Sequence, residues 1–289
     1  MANGIRGIDH ALIGVRDLEA ARERFRRLGF TTTPRGSHIG WGTANYCIMF
    51  AEDYIELLGI ADATKFVNNL DKMLEQMGEG LSGLALATAD AITAADKLRQ
   101  NGLRPQDPVP LARNLELPEG TVTPEFTLVH LPPEATPGLR LFLCQHRTPA
   151  LLRRPAWLRH ANGARAIGSV TVVVENPVAL MGAYEALFGA GATAMTDDTL
   201  AVFTGNSVIL FVTENDLEVL YPGVPAGPSR PLPWIAALDL VVDDLSVTAR
   251  HLAAQGVPFH HDGEGAVRVA PADACGVLLA FSRMRRNHR

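Results

Sequence analysis

The residues best suited to chemistry are a histidine and a glutamate on two predicted strands near the N-terminus. His10 lies in an apolar run that begins at Ile8, and Glu56 lies in the run Tyr54-Ile-Glu-Leu-Leu58. Side chains alternate along a strand, so Glu56 shares its face with Tyr54 and Leu58 and should lie in a cavity beside a partner group. If the two strands are neighbours, the imidazole and the carboxylate suit Zn²⁺, Ni²⁺, Mn²⁺ or Fe²⁺. The alternative is structural, with Glu56 at a strand rim and His10 bonded to a backbone carbonyl.

A second group of candidate residues lies in the stretch 38–45. Gly40 and Gly42 allow a close approach of the backbone, Trp41 offers a stacking face, and His38 and Asn45 offer hydrogen bonds. This combination suits the mouth of a cavity that holds a polar organic substrate. A strand-entry turn whose tryptophan packs on the sheet would explain the same residues equally well.

Other kinds of active site find little support in the sequence. It contains no G-x-S-x-G elbow, no phosphate-binding loop, no G-x-G-x-x-G and no zinc-finger spacing, so no nucleotide cofactor is expected. Cys144 and His146 share a strand face but have no orienting third group. The three cysteines are far apart and the N-terminus has no apolar signal segment, which together predict a cytoplasmic protein.

Composition and charge favour a globular protein that handles a small molecule. Hydrophobic residues make up 47% and charged residues 20% of the 289 residues, and the formal net charge is −5. No apolar run approaches the length of a membrane span. We therefore expect neither nucleic acid nor a membrane among the partners of the protein.

The elements that must position these residues recur four times along the chain. Each unit has an apolar strand, an acidic or amide residue, an amphipathic helix and a glycine, followed by further strands. The distance from a fixed strand position to the helix-ending glycine is 19, 19, 20 and 19 residues in the four units: His10 to Gly29, Gly83 to Gly102, Ser169 to Gly189 and Ala237 to Gly256. Asp17, Asp90, Asn176 and Asp244 stand where a helix N-cap would lie.

This spacing predicts four βαβββ units in two domains. The N-terminal domain spans residues 1–146, with units at 5–60 and 80–146, and the C-terminal domain spans residues 166–289, with units at 166–215 and 233–283. Residues 147–165 form the connector, and 62–80 form a helical insertion whose apolar stripe should pack on the core. Whether the units pair within one chain or across a homodimer is left open by the sequence.

Four such units, together with motifs of the first one, resemble the vicinal-oxygen-chelate superfamily. The motifs are Ile8-Asp-His10, the segment 15–21 (VRDLEAA), Leu28-Gly-Phe30, the stretch 38–45 and Tyr54-Ile-Glu-Leu-Leu58. The superfamily includes glyoxalase I, bleomycin-resistance proteins, methylmalonyl-CoA epimerase and extradiol dioxygenases, and the chain is most similar to its glyoxalase-like branch. The resemblance implies an α+β fold in which four βαβββ modules form two cup-shaped mixed sheets with helices outside.

The resemblance also implies a divalent metal site in the first cup. Its first-strand and last-strand ligand positions are His10 and Glu56, with Glu56 as the catalytic residue. The other units have Gly83, Ser169 and Ala237 at the position of His10, and none supplies a carboxylate at the position of Glu56. A third ligand must come from elsewhere, with His130 as the first candidate and His146, Gln145 and His38 as others.

Two functions follow from this interpretation. The first is a metal-dependent lyase, isomerase or dioxygenase that acts on a small oxygenated substrate in the N-terminal cup, with His38, Trp41 and Asn45 as substrate contacts. The alternative is a metal-free protein that sequesters a small molecule, as bleomycin-resistance proteins do. In both cases the C-terminal domain is expected to have no site of its own.

Overall fold

The N-terminal half of the chain is built of nine strands and three helices. We describe it from a computed structural model that covers residues 2–225, 227, 230–261 and 265–283. The strands are β1 (Ile5–Gly14), β2 (Gly36–His38), β3 (Thr43–Met49), β4 (Tyr54–Ile60), β5 (Gly80–Thr88), β6 (Val109–Leu117), β7 (Gly120–Val122), β8 (Glu125–His130) and β9 (Leu141–His146). The helices are α1 (Leu18–Arg27), α2 (Leu70–Met77) and α3 (Ala91–Gln100).

The described part of the C-terminal half contains eight strands and three helices. The strands are β10 (Ala164–Val173), β11 (Thr193–Thr196), β12 (Thr199–Phe203), β13 (Val208–Val212), β14 (Trp234–Val242), β15 (His260–His261), β16 (Ala266–Val269) and β17 (Leu278–Arg283). The helices are α4 (Met181–Phe188), α5 (Glu214–Leu220) and α6 (Leu245–Ala254). Within the described ranges, no helix has the length and apolar character needed to cross a membrane. The last residues of the predicted C-terminal domain, 284–289, lie outside the described ranges.

Each half forms one curled mixed sheet. The N-terminal order is β2-β3-β4-β1-β5-β9-β8-β6-β7, and an additional pairing of β2 with β6 closes eight of these strands into a ring. The C-terminal order is β11-β12-β13-β10-β14-β17-β16-β15. The predicted α+β class with two cup-shaped mixed sheets is therefore confirmed.

The four predicted units pair within one chain. In every unit the first strand lies parallel to the last, as β1 does to β4, β5 to β9, β10 to β13 and β14 to β17. The first strands then join the units antiparallel, β1 with β5 and β10 with β14. This arrangement places the first strands of units one and two side by side at the centre of the N-terminal sheet.

Local capping explains why three of the four helices begin where the sequence predicts. The side chains of Asp17, Asp90 and Asp244 accept hydrogen bonds from free backbone amides of the first turn. Asn176 makes no such bond, because Pro177 follows it and starts a 3₁₀ turn that runs to Leu180 before α4 begins. All four helix-ending glycines have positive φ, as their predicted role requires.

The insertion after β4 differs from the prediction in extent and packing. Its helix begins only at Leu70, because Asn68 and Asn69 both have positive φ and cannot continue a right-handed helix. Leu70 and Leu74 are buried, but Phe66 is 58% exposed and contacts the ring of Trp41 edge-on. The insertion therefore packs over the opening of the ring rather than wholly into the core.

Both faces of the N-terminal sheet are buried. Outward-facing residues such as Ala11, Ile13, Ile55 and Leu57 belong to a large apolar core that also includes residues of the C-terminal half. Inward-facing residues form a second, smaller apolar cluster within the ring: Cys47, Met49, Tyr54, Ala85, Leu115, Leu117, Phe126, Leu128, Phe142, Cys144 and Leu152. Polar groups inside the ring are thus surrounded by apolar side chains and need specific partners.

A buried carboxyl group at the junction of the two halves should make stability depend on pH. Asp53, in the turn between β3 and β4, accepts a hydrogen bond of 3.1 Å from the backbone amide of Ile167 in β10. Burial raises the pKa of Asp53 from 3.8 to about 7, despite the opposing effects of that bond and of Arg153. Because the folded pKa is the higher one, the folded state binds more protons, and stability falls as pH rises from 4 through 7.

We therefore expect Asp53→Asn, which keeps an oxygen acceptor, to stabilise the protein at pH 8 and to change little at pH 4. The upper limit of the gain is on the order of 4 kcal/mol, from a shift of roughly three pKa units. Thermal unfolding of both proteins from pH 4 to pH 8 measures the difference. A constant difference across that range would show that Asp53 does not titrate in this window.

Candidate active site in the N-terminal ring

The closed ring encloses a cavity that contains most of the predicted site residues. About 770 Å³ of empty space lies within its lining, part of it open to solvent. Its polar and charged walls include His10, His38, Thr43, Glu56, Arg113, His130 and Arg140, and its apolar walls include Leu12, Leu58, Leu128 and Phe142. Glu56 lies between Tyr54 and Leu58 on the inward face of β4, as the alternation predicts.

Glu56 is the centre of the polar cluster. It is 5% exposed. One carboxylate oxygen, Oε2, lies 3.4 Å from Nε2 of His10, and the other, Oε1, lies 3.8 Å from Nε2 of His38. The amide Nδ2 of Asn45 donates to Oε1 at 2.5 Å. Burial alone would raise the pKa of Glu56, but His10, His38, Arg113 and Asn45 together lower it, so the group is an anion.

His10 is oriented from behind by Asp9. The pairing of β1 with β5 shifts register between Ile8 and His10, and this bulge turns both Asp9 and His10 inward although they are neighbours in sequence. Oδ1 of Asp9 lies 2.7 Å from Nδ1 of His10 and 3.0 Å from Nε2 of His146. Burial opposes ionisation of Asp9, but the two histidines outweigh it and hold its pKa below the usual range. The carboxylate can only accept, so each of these two nitrogens donates a proton to it.

His38 is held in a similar way on the opposite side of Glu56. Its Nδ1 lies 2.8 Å from the hydroxyl oxygen of Thr43. Burial lowers the pKa of His38 to about 4, although Glu56 acts in the opposite direction, so the ring is neutral near pH 7. In the tautomer that donates Nδ1–H to Thr43, the lone pair of Nε2 faces Glu56.

The remaining predicted residues lie at different depths. His130 lies opposite Phe142 in the pairing of β8 with β9 and lines the same cavity. Trp41 lines it near His38, at 5.8 Å between ring centroids. Asn45 is buried behind Glu56 and reaches it rather than the cavity. The roles predicted for these three residues as third metal ligand and substrate contacts stay predictions.

A second cluster of possible ligands lies deeper in the ring. Ligand atoms of Asp9, Cys144 and His146 all lie within 4.8 Å of one another. Among the described residues, no other three possible ligands lie this close together. The ligand atoms of the predicted trio, His10, Glu56 and His130, are farther apart. Burial raises the pKa of the Cys144 thiol well above its usual range, so this sulfur is protonated near neutral pH.

Two functional candidates were missed from the sequence. Asp9 is one residue from His10 and would face away on a regular strand, so only the bulge reveals it. Arg113 comes from β6, and it enters the cavity because β2 pairs with β6 and sets His38 opposite Arg113. No local pattern around either residue marks it in the sequence.

The chain matches a known protein family over more than half of its length. The family model of the "Glyoxalase-like domain" matches residues 8–188. The chain belongs to that family, and with it to the vicinal-oxygen-chelate superfamily. The resemblance seen in the sequence is thereby confirmed.

Solved structures show the same architecture over nearly the whole chain. A hypothetical protein from Staphylococcus aureus is 14% identical, with a TM-score of 0.66 over 96% of this chain and 99% of that one. A mutant of 4-hydroxymandelate synthase from Streptomyces coelicolor is 14% identical, with a TM-score of 0.62 over 98% of this chain and 93% of that one. At this identity the likeness concerns the fold. Comparison with curated protein sequences gives no significant match.

Proposed function

We propose that this protein is an enzyme that converts a small oxygenated substrate in the N-terminal cavity with the help of a divalent metal ion. The observation that carries the proposal is the arrangement of two histidines around the carboxylate of Glu56. Its two oxygens face the Nε2 atoms of two histidines at 3.4 and 3.8 Å, and the Nδ1 atom of each histidine has its own partner. The reaction classes within the proposal are those of a lyase, an isomerase or a dioxygenase.

The donor set fits a divalent ion. In the tautomer that donates Nδ1–H to Asp9, the lone pair of Nε2 of His10 faces an anionic carboxylate. Two acceptors that face each other at this distance need a proton or a cation between them. Two imidazoles and one carboxylate are a ligand set of catalytic Zn²⁺ and Fe²⁺ sites, and a carboxylate behind a histidine is its usual second partner.

His10, Glu56 and His38 would hold the ion, and the other residues would prepare them. A bound ion would act as a Lewis acid on a substrate oxygen. Asp9 and Thr43 fix the orientation of the two imidazoles, and Asn45 fixes one oxygen of Glu56. The walls at Leu12, Leu58 and Phe142 exclude water and strengthen every electrostatic interaction within the cavity.

The second candidate function is metal-free binding of a small molecule. It is favoured by the second unit, which has no carboxylate at the position of Glu56. The strand residue opposite His130 in that unit is Phe142, which cannot bind a metal. It is also favoured by the largest distance between the possible ligand atoms of His10, His38 and Glu56, which is wider than any within the group of Asp9, Cys144 and His146. In this case Nε2 of His10 would donate a hydrogen bond directly to Glu56.

Metal content separates the two functions. The protein is stripped with a chelator, incubated in turn with Zn²⁺, Ni²⁺, Mn²⁺ and anaerobic Fe²⁺, desalted, and analysed for bound metal. We expect the wild type to retain a stoichiometric amount of one of these ions and Glu56→Gln and His10→Ala to lose it. His38→Ala should weaken retention more than His130→Ala, because His38 faces Glu56.

Two outcomes would contradict the proposal. Retention of no ion by the wild type would leave metal-free binding as the function. Metal that survives Glu56→Gln but is lost in Cys144→Ser would place the ion in the deeper group of Asp9, Cys144 and His146. Near-ultraviolet circular dichroism of each variant shows whether its fold is intact.

A further inference from the structure

Arg113 is a buried cation whose hydrogen-bonding groups are largely unused. Its side chain is 2% exposed and lines the cavity. Nη1 donates to the sulfur of Cys47 at 3.1 Å, a weak acceptor, and the guanidinium carbon lies 5.7 Å from the ring centroid of Phe126. Nε and Nη2 are buried and have no hydrogen-bond partner. Across the described ranges, Arg113 has no carboxylate within 4.0 Å.

The two unused nitrogens form one edge of the guanidinium group. The N–H bonds of Nε and Nη2 point in the same direction, which is the geometry that receives the two oxygens of a carboxylate side by side. Nη1 lies on the other edge and is already occupied by Cys47. The protein therefore leaves free the edge of Arg113 that makes two parallel bonds.

The surroundings favour an anion at this edge. Cys47, Tyr54 and Glu56 keep the pKa of Arg113 above its ordinary value, although burial acts to lower it, so the group is charged. The exposed Arg140 lines the same cavity and adds a second positive charge. Among the described residues that line the cavity, Glu56 is the one carboxylate.

We propose that Arg113 binds a carboxylate group of the substrate, so that the protein acts on a small carboxylic acid. This inference rests on the proposed function to the extent that the cavity takes a small molecule, but it does not depend on a metal. A carboxylate at Arg113 would leave the rest of the molecule in the cavity that His10, His38 and Glu56 share. A phosphate group could use the same edge, and the test distinguishes the two anions.

Binding of matched small molecules tests the assignment. Benzoate, pyruvate and inorganic phosphate are titrated into the metal-stripped protein at millimolar concentration, with benzamide as the uncharged counterpart of benzoate. We expect one of the two carboxylates to bind, benzamide and phosphate to bind far more weakly, and Arg113→Met to reduce carboxylate affinity on the order of tenfold to a hundredfold. Arg113→Lys should restore only part of it, because lysine keeps the charge and loses the parallel bonds.

A matched control and a second background keep the result interpretable. Arg140→Met removes the same charge from the same lining but no buried unpartnered nitrogen, so its effect should be small. An equal loss in Arg140→Met and Arg113→Met would overturn the assignment in favour of a general positive field. Absence of carboxylate binding to the wild type, or tighter binding of phosphate than of both carboxylates, would also overturn it.

Carboxylate binding that persists in Glu56→Gln would support this inference even if the metal proposal fails. Loss of binding in Glu56→Gln with retention in Arg113→Met would refute it. If Arg113→Met does not fold, Arg113→Lys alone decides, since a wild-type affinity in that variant contradicts a two-bond contact.

Discussion

Replacing Asp9 by leucine is expected to destabilise the protein by about 2–6 kcal/mol, because it leaves the N–H groups of two buried histidines without their acceptor, at about 1–3 kcal/mol each. Oδ1 of Asp9 accepts hydrogen bonds from both His10 and His146, and none of the three side chains is more than 11% exposed. For a chain of this size, such a loss corresponds to a fall in Tm on the order of 10 °C. Calorimetry of the metal-stripped protein measures it without a contribution from bound ions.

The more conservative Asp9→Asn separates the charge of Asp9 from its position. Asparagine keeps one oxygen acceptor, so the fold should survive, but a neutral amide is a weaker second partner for a ligating imidazole than a carboxylate. If His10 is a ligand, metal affinity should fall about 10–100-fold, as it does when the second partner of a ligating histidine is removed. The pKa of Asp9 is lowered in the folded state. The ionised carboxylate therefore adds to the free energy of unfolding of the wild type above pH 4, and this contribution shrinks as pH falls below 4.

Asp17→Ala is the matched control for these substitutions. Asp17 is also an aspartate, but it is exposed and only caps α1, so its loss should cost about 1 kcal/mol and leave metal affinity unchanged. A loss in Asp9→Leu no larger than that of Asp17→Ala would show that His10 and His146 find other acceptors. The cluster behind Glu56 would then not be rigid enough to orient a ligand.

The fold was largely predictable because its signals are local and repeated. Each unit needs an N-cap before its helix and a glycine with positive φ after it, and these residues recur at nearly constant spacing. The two helices that begin later than predicted also have local causes. Pro177 replaces the first helical turn of unit three by a 3₁₀ turn, and Asn68 and Asn69 delay the start of α2.

The site was only partly predictable because half of it depends on register. Strand alternation alone places Glu56 inward beside Tyr54 and Leu58, and the structure has that arrangement. The inward turn of Asp9 requires a shift in the pairing of β1 with β5, and the entry of Arg113 requires the ring to close between β2 and β6. Such non-local pairing leaves no pattern within a window of residues.

Arg113→Met should raise the Tm of the ligand-free protein rather than lower it. Methionine fills a similar volume with apolar atoms, and Phe126, Cys47 and Leu115 already make this part of the ring apolar. Replacing a buried charge whose Nε and Nη2 groups lack acceptors by such a residue removes the cost of burying them, and we expect a gain of about 1–3 kcal/mol. Residues that bind a ligand often destabilise the ligand-free protein, because their polar groups lack partners until the ligand is bound.

The sign of this effect is what distinguishes a binding residue from a structural one. Arg153 is the matched comparison, because its guanidinium donates to the carbonyl oxygens of Phe50, Glu52 and Asp53 at 2.6, 2.8 and 3.0 Å. Arg153→Met should therefore lower Tm, whereas Arg113→Met should raise it. If both variants lose stability to the same extent, Arg113 serves as the internal counter-ion of Glu56, and its unused edge is a consequence of that role rather than a place for substrate.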